Sequence, residues 1–199
     1  MNVVLVHGFL NRGSIMRSLS RSLEAAGHRT LTPSLSPCDG RCGIGRLAEL
    51  LKAEVNAKFG DEAPLVVVGF SMGAIISRYY LQRLGGSSRT VLFASIAGPH
   101  AGTWTAIFYP VQGTREMRLG SPFLRDLNGR IAEIHSIPTV CYWSPFDLMI
   151  RPLSSACLAH AESIKVPALV HSLLLFDARL HRDLIGRLER ISKEQPSAP

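Results

Sequence analysis

Short strand-like runs alternate with segments of helical periodicity along nearly the whole chain. The runs are brief, rich in β-branched residues and bounded by turn residues, as in buried strands; they are Val3–Val6, Arg29–Thr32, Leu65–Val68, Thr90–Ile96, Pro138–Trp143 and Val166–Val170. Between them, apolar residues three and four positions apart predict helices over Ser14–Ala26, Ile44–Lys58, Met72–Leu84, Ser121–Ile134 and Ala178–Ile191. This alternation predicts an α/β fold with a roughly six-stranded, mostly parallel sheet flanked by helices.

Length and composition fit one globular domain. The chain has 199 residues, of which 46% are hydrophobic and 19% charged, enough to bury a sizeable core. We expect a single domain over residues 1–199, without a large cap and with a frayed tail at 194–199. No apolar stretch reaches the roughly 18 residues of a membrane span, and Val3–Val6 is too short for a signal sequence. These features predict a cytoplasmic protein without stable membrane insertion.

The net charge of +7 raises the question of an acidic partner, because basic chains often bind nucleic acid or anionic membranes. Here Lys and Arg are scattered, and no basic run is interleaved with aromatic residues. We interpret the charge as a solvated face and predict no nucleic-acid partner. Weak attraction to anionic lipid or to acidic substrates remains the alternative, and the oligomeric state stays open.

The four cysteines, Cys38, Cys42, Cys141 and Cys157, lack the spacing of a zinc site because Cys141 and Cys157 do not form a second ligand pair. Cys141 lies in a predicted core strand, where we expect an inert thiol. A disulfide between Cys38 and Cys42 would need an oxidising compartment. The sequence therefore predicts free thiols and no metal site.

The segment Gly69-Phe70-Ser71-Met72-Gly73 fits the pattern G-x-S-x-G, with a predicted strand before it and a predicted helix after it. A serine at such a strand-to-helix turn has a strained backbone and exposes its hydroxyl at the end of the sheet. The glycines leave room for the turn, and the helix directs free N–H groups toward negative charge near the serine. This segment, which we call the elbow (residues 69–73), predicts that Ser71 is a nucleophile.

Other polar segments also follow predicted strands. Ligands of parallel sheets bind beyond the carboxyl ends of the strands, so the residues of a site should come directly after them. Besides Ser71, the segments that meet this condition are His7–Phe9, Gly98–His100, Ser144–Asp147 and His171. We expect these segments to meet at one edge of one sheet.

A nucleophilic serine needs a base to remove its proton, and histidine suits because its pKa lies near neutral pH. The histidine in turn needs a carboxylate that fixes its tautomer. Ser71, Asp147 and His171 supply these groups in the chain order serine, acid, histidine. The non-catalytic alternatives are a loop cap for Asp147 and a buried structural histidine for His171. His160 is the best rival base; the weaker alternatives are His28, His135, His181, Asp126, Asp177 and Asp183.

Attack on a carbonyl generates an oxyanion, which needs two preorganised donors; loss of one typically lowers the rate about 100- to 1,000-fold. The N–H of Met72, directly after the nucleophile, is one candidate. The other is the N–H of Phe9, where Gly8 lets the backbone pass close to the oxyanion. We expect His7 to brace this loop through hydrogen bonds and not to act as a base.

Several stretches match the pattern of a known family: Val6–Phe9, Gly69–Ala74, Gly98–Thr103, Ser121–Asn128, Ser144–Asp147 with Pro152, and His171–Leu174. On these stretches the chain resembles the α/β-hydrolase superfamily, and more closely its small bacterial lipases and esterases. The resemblance implies the roles already assigned to Ser71, Asp147 and His171, and an oxyanion hole of Phe9 and Met72. Phe70 departs from the family pattern, which usually has histidine there, and we expect this change to alter packing under the elbow.

Substrate contacts are expected around the elbow, from His7, Gly8, His100, Trp104 and Phe108. The apolar stretch that contains Trp104, Ile107, Phe108, Tyr109 and Val111 forms either a small flap over the site or a part of the core. An exposed flap would suit acyl chains or a lipid surface.

The sequence thus favours a serine hydrolase that cleaves carboxylic esters through an acyl-enzyme on Ser71, without a metal or an organic cofactor. The substrate would be a small-molecule ester or a lipid, with at most transient contact to a lipid surface. An acyltransferase, a thioesterase or an amidase would use the same three residues. A binding protein without catalysis is a further hypothesis, against which the complete triad argues.

Overall fold

A computed structural model describes residues 1–194, so the predicted frayed tail lies outside the described residues except for Glu194, which ends the last helix. The strands are β1 (Asn2–Val6), β2 (Arg29–Leu31), β3 (Leu65–Phe70), β4 (Thr90–Ile96), β5 (Thr139–Trp143) and β6 (Glu162–Lys165). They form one six-stranded sheet in the order β2-β1-β3-β4-β5-β6, and each neighbouring pair is parallel. The predicted parallel sheet is confirmed.

Helices separate the strands. They are α1 (Arg17–Ala25), α2 (Ile44–Phe59), α3 (Met72–Arg83), α4 (Gln112–Glu116), α5 (Pro122–Gly129) and α6 (Ala178–Glu194). Short 3₁₀ turns cover Gly13–Met16, Gly86–Arg89, Trp104–Ile107, Ile131–Ile134, Leu153–Ala156 and His171–Phe176. No helix within residues 1–194 has both the length and the apolarity needed to cross a bilayer.

Two apolar layers enclose the sheet, because successive side chains of a strand point to opposite faces. Val4 and Val6 of β1 belong to the layer that contains α2 and α3, whereas Val3 and Leu5 belong to the layer that contains α1 and α6. Strand β3 is buried at every position, as expected for a strand covered on both faces. The elbow therefore begins at the centre of the sheet.

The predicted last strand, Val166–Val170, is wrong. The strand is Glu162–Lys165, and the apolar run after it is a loop. Pro167 cannot donate to a β-ladder, and strand β6 lies at the sheet edge, where burial does not demand apolar residues. The error leaves the topology unchanged, because His171 still follows the sixth strand.

The predicted helix Ser121–Ile134 is interrupted. Helix α5 covers Pro122–Gly129, and a 3₁₀ turn covers Ile131–Ile134. Its start is set by Ser121, whose hydroxyl accepts the N–H of Leu124, and by Pro122 at the first helical position. It ends at Gly129, a residue type with low helix propensity.

Candidate active site

The elbow has the strained geometry that its sequence predicts. Ser71 connects β3 to α3 with a φ of 53° and a ψ of −122°, a conformation that typically costs a non-glycine residue about 1–3 kcal/mol. A Cβ on Gly69 would lie 2.5 Å from the Cα of Ala74, and a Cβ on Gly73 would lie 2.5 Å from the carbonyl oxygen of His7. Both positions therefore require glycine, and the strain at Ser71 is held in place by close backbone packing.

The loop after β1 lies directly against the elbow. A Cβ on Gly8 would lie 3.1 Å from the Cβ of Ser71. Within residues 1–194, the backbone N–H groups of Phe9 and Met72 donate no hydrogen bond, and Met72 opens helix α3, where N–H groups have no intrahelical acceptor. Two unused donors thus lie in the segments next to Ser71.

His7 braces this loop from behind. Its side chain is fully buried; Nδ1 donates to the carbonyl oxygen of Gly8 over 2.9 Å, and Nε2 accepts the N–H of Leu35 over 3.0 Å. Burial lowers the pKa of His7 despite these backbone hydrogen bonds. The ring therefore stays neutral, with one donor and one acceptor nitrogen, which suits a structural brace.

Asp147 and His171 are in direct contact. Oδ2 of Asp147 lies 2.7 Å from Nδ1 of His171, and Oδ1 accepts the N–H groups of Met149 at 2.8 Å and Ile150 at 3.1 Å. Burial raises the pKa of Asp147, but the hydrogen bond from His171 and the two backbone donors outweigh it and lower the pKa. An ionised carboxylate only accepts, so we assign the proton to Nδ1 of His171, which leaves Nε2 as an acceptor.

Phe70 connects the elbow to this pair. The ring centroids of Phe70 and His171 are 4.8 Å apart, so the residue that departs from the family pattern packs against the histidine. No hydrogen bond joins Ser71 to His171 among the described residues. In enzymes without substrate this bond is often long and shortens when substrate binds. Ser71, His171 and Asp147 therefore share one edge of the sheet, with the Asp147–His171 bond already formed.

The rival histidines lie elsewhere. His160 precedes β6 and His135 precedes β5, and their ring centroids are 4.8 Å apart. They belong to the amino ends of these parallel strands, opposite to the edge that holds Ser71. His181 is buried in α6 and bonds to Ser22 and to the carbonyl oxygen of Leu175. None of the three replaces His171.

A cavity of about 420 Å³ opens beside Ser71. Trp104 and Phe108, 48% and 71% exposed, stand in its wall and not in the core, so the flap interpretation applies. Apart from Ser71 and threonines, the lining is apolar; it consists of Phe9, Ser71, Pro99, Thr103, Trp104, Thr105, Ala106, Phe108, Tyr109, Thr114, Met117, Leu148, Met149 and Ile150. Nothing in the sequence marks Leu148 and Met149 as cavity residues except their place directly after Asp147.

The predicted substrate contacts at His7, Gly8 and His100 do not line this cavity. His100 is buried, its Nε2 lies 2.8 Å from the hydroxyl of Ser95, and its carbonyl oxygen accepts the side chain of Asn128. Burial lowers the pKa of His100 well below its ordinary value. His7 and His100 therefore shape the two loops from inside, while Gly8 gives the backbone room beside Ser71.

Sequence comparison agrees with this geometry. Residues 3–193 match the family model described as alpha/beta hydrolase family. The chain belongs to this family. No curated protein matches the chain significantly in sequence.

Solved structures share the alpha/beta hydrolase fold. Aspergillus fumigatus lipase B superposes with a TM-score of 0.80 at 16% identity, covering 94% of this chain and 52% of the lipase. Mature Bacillus licheniformis lipase BlEst2 gives 0.75 at 13% identity, covering 94% and 91%. A pyrethroid hydrolase from Sphingobium faniae JZ-2 gives 0.65 at 15% identity, covering 99% and 98%. This chain spans about half the length of the Aspergillus lipase, and at these identities the likeness establishes the fold.

The exposed apolar side chains of this alpha/beta hydrolase concentrate at one edge. Every large hydrophobic side chain that is exposed within residues 1–194 lies in a segment after β1, β4, β5 or β6. We call this set the apolar rim; it consists of Leu10, Trp104, Ile107, Phe108, Tyr109, Leu119, Phe146, Leu148, Met149, Leu169, Val170, Leu173 and Phe176. Such concentration is typical of a surface that binds an apolar ligand or interface.

Proposed function

We propose that this chain is a serine hydrolase that cleaves carboxylic esters with apolar acyl groups. The observation that carries the proposal is the 2.7 Å contact between Asp147 and His171 at the same sheet edge as the strained Ser71. If His171 were only structural, it would not need a serine with a strained backbone at the same sheet edge. If Ser71 were only a turn residue, it would not need a histidine oriented by a carboxylate. Together they form the set of groups that acyl transfer needs.

In the proposed acylation step, Nε2 of His171 takes the proton of Ser71 as Oγ attacks the ester carbonyl carbon. The carbonyl oxygen gains a negative charge, which the N–H groups of Phe9 and Met72 stabilise. The C–O bond to the alcohol then breaks, and His171 returns the proton to the departing oxygen. The acyl group remains on Ser71 as an ester.

Water reverses these steps in the second half of the reaction. His171 takes a proton from water, whose oxygen attacks the acyl carbon, and then returns the proton to Oγ of Ser71 as the acid leaves. Asp147 stays ionised throughout, because its hydrogen bonds hold its pKa below the ordinary value. Its charge stabilises the imidazolium that forms in each half.

The cavity supports an apolar acyl group, since its wall is mostly aromatic and aliphatic and contains no charged side chain. The apolar rim supports transient contact with a lipid surface, so both small-molecule esters and lipids are proposed substrates. The same residues would cleave a thioester, and an alcohol in place of water would give acyl transfer. These activities differ only in the group that enters or leaves.

Active-site labelling tests the proposal. A fluorophosphonate probe should label wild type but neither Ser71→Ala nor His171→Ala, while His160→Ala, the rival histidine at the opposite edge, should label like wild type. p-Nitrophenyl esters from acetate to palmitate then report the acyl preference, and added alcohols or an acyl thioester test the alternative reactions. A folded wild type that neither labels nor turns over any ester would contradict the proposal.

A further inference from the structure

Two of the four cysteines lie together behind the active-site loops. All four are free thiols in the structure. Cys141 lies in β5 opposite Ser163 of β6, and Sγ of Cys157 lies 3.3 Å from Oγ of Ser163. Cys157 packs against the apolar layer that contains Cys141, so both cysteines lie beside Ser163. Although sixteen positions separate them in sequence, they are neighbours in space.

Only one member of this pair is accessible. Cys157 is half-buried and lines two surface cavities of about 220 and 280 Å³, whereas Cys141 is fully buried. A small solute can therefore contact Cys157, whereas Cys141 exposes no surface to it.

We propose that Cys157 and Cys141 form an oxidisable dithiol, in which a peroxide attacks Cys157 and Cys141 then closes an intramolecular disulfide. This goes beyond the hydrolase proposal and does not depend on it, because it concerns thiols outside the cavity beside Ser71.

The surroundings of the pair favour a thiolate at Cys157. The neighbouring Cys141 thiol and the hydrogen bond with Ser163 lower the pKa of Cys157 against the opposing effect of burial. The neighbouring Cys157 thiol, together with burial, raises the pKa of Cys141. The positive charge of the buried Arg78 guanidinium partly opposes this rise in the pKa of Cys141. Cys42, by contrast, has a pKa that burial raises.

The proposed chemistry is a two-electron oxidation with hydrogen peroxide as oxidant. The thiolate of Cys157 attacks one peroxide oxygen; the S–O bond forms, the O–O bond breaks, and the departing hydroxide is protonated to water. The sulfur of Cys141 then attacks the Cys157 sulfenic acid, losing its proton to the leaving hydroxide. The S–S bond forms and a second water departs, so two thiols are oxidised while one peroxide is reduced to two waters.

Formation of the disulfide would affect the candidate active site through Ser155, which lies two residues before Cys157 in sequence. Its hydroxyl donates to the carbonyl oxygen of Gly102 over 2.6 Å and accepts the N–H of Ala101 over 3.0 Å. These bonds anchor the segment that leads to Thr103 and Trp104 of the cavity wall. This coupling rests on the proposed function, whereas formation of the disulfide does not.

Peptide mapping of the peroxide-treated full chain tests the proposal. Stoichiometric hydrogen peroxide should remove two hydrogens from the intact mass and link the peptides of Cys141 and Cys157. Cys157→Ser should abolish the link, and Cys141→Ser should leave a sulfenic acid on Cys157 that dimedone traps. Cys38→Ser and Cys42→Ser are the matched controls and should oxidise like wild type.

Alkylation of unmodified wild type provides a second measurement that needs no substitution of the buried Cys141. At about pH 6.5, below the ordinary thiol pKa of about 8.5, iodoacetamide should modify Cys157 at least about tenfold faster than Cys42. A Cys38–Cys42 link, a sulfinic acid on Cys157 beside a free Cys141, or equal alkylation rates would overturn the proposal. Ester turnover of the oxidised chain is read separately and does not decide it.

Discussion

Gly73 packs against the carbonyl oxygen of His7 at a distance that excludes any side chain, since a Cβ on Gly73 would lie 2.5 Å from that oxygen. This contact presses the start of α3 against the end of β1. It brings the loop of Gly8 and Phe9 to Ser71, so the elbow and the oxyanion loop are positioned by the same backbone approach.

Gly73→Ala should therefore destabilise the fold. The obstructing atoms are backbone atoms of β1 and its loop, which cannot move as a side chain does, so we expect a loss of about 1–3 kcal/mol in the free energy of unfolding. Urea unfolding followed by circular dichroism measures it. Gly129→Ala is the control, because nothing lies within 4 Å of its Cβ position and alanine favours a helix. Equal stability of the two variants would contradict the packing argument.

Asp147→Asn should lower turnover far more than it lowers stability. The amide oxygen still accepts the N–H groups of Met149 and Ile150, but the amide nitrogen faces Nδ1 of His171 and favours the wrong imidazole tautomer. We expect kcat to fall by about 10³- to 10⁴-fold, measured with a p-nitrophenyl ester. Asp126→Asn, a half-exposed helix residue in surface ion pairs, should keep wild-type turnover. A loss below about tenfold in Asp147→Asn would remove Asp147 from the mechanism.

Asp177 should contribute to acid resistance. It precedes α6 and accepts the side chain and the backbone N–H of Arg179, which lower the pKa of Asp177 to about 2 despite some burial. Because its folded pKa lies below the unfolded value, its contribution is present above about pH 4 and is lost as the pH falls toward about 2.

Asp177→Asn keeps the cap but has no charge to titrate. Urea unfolding at several pH values between about 4.5 and 2.5 should therefore show a shallower loss of stability in the variant than in wild type. Asp61→Asn, an exposed carboxylate, should follow the wild-type slope. Parallel slopes for wild type and Asp177→Asn would contradict the expectation.

The cavity wall should set the acyl preference. Phe108→Ser removes an aromatic side chain from the wall, so kcat/KM for a decanoyl ester should fall about tenfold or more, with less than a twofold change for acetate. Leu119→Ser is the matched control, because Leu119 belongs to the apolar rim but does not line the cavity. Equal losses for both esters would mean that acyl chains bind elsewhere.

The catalytic candidates could be located from sequence because their positions follow from one topological rule. Parallel strands end at one edge of a sheet, so Asp147 and His171 are expected to be neighbours although 24 positions separate them. Strand β4 shows why the fold is equally predictable: its apolar run Thr90–Ile96 has the bounds of the observed strand. Both inferences use only local sequence patterns and the order of the elements along the chain.

Side-chain direction within loops could not be inferred in this way. His100 follows β4 as a binding residue would, yet its ring is buried with Nε2 against the hydroxyl of Ser95, and Asn128, 28 positions away, donates to its backbone carbonyl oxygen. The neighbours of Cys157 depend likewise on which residues of β5 and β6 pair. This pairing could not be predicted, because the polar sequence of β6 does not have the apolar pattern of a buried strand. Contacts between residues that are far apart in sequence can be identified only from the three-dimensional structure.

The edge strand β6 has a consequence for how copies of this molecule meet. An unpaired strand edge is a template for a second chain, and proteins guard against such pairing with short strands, charged side chains and proline. β6 has four residues, exposes Glu162 and Lys165, and is followed by Pro167. The polar residues that make β6 hard to predict from sequence are therefore also the ones that oppose pairing of this sheet edge with a second chain.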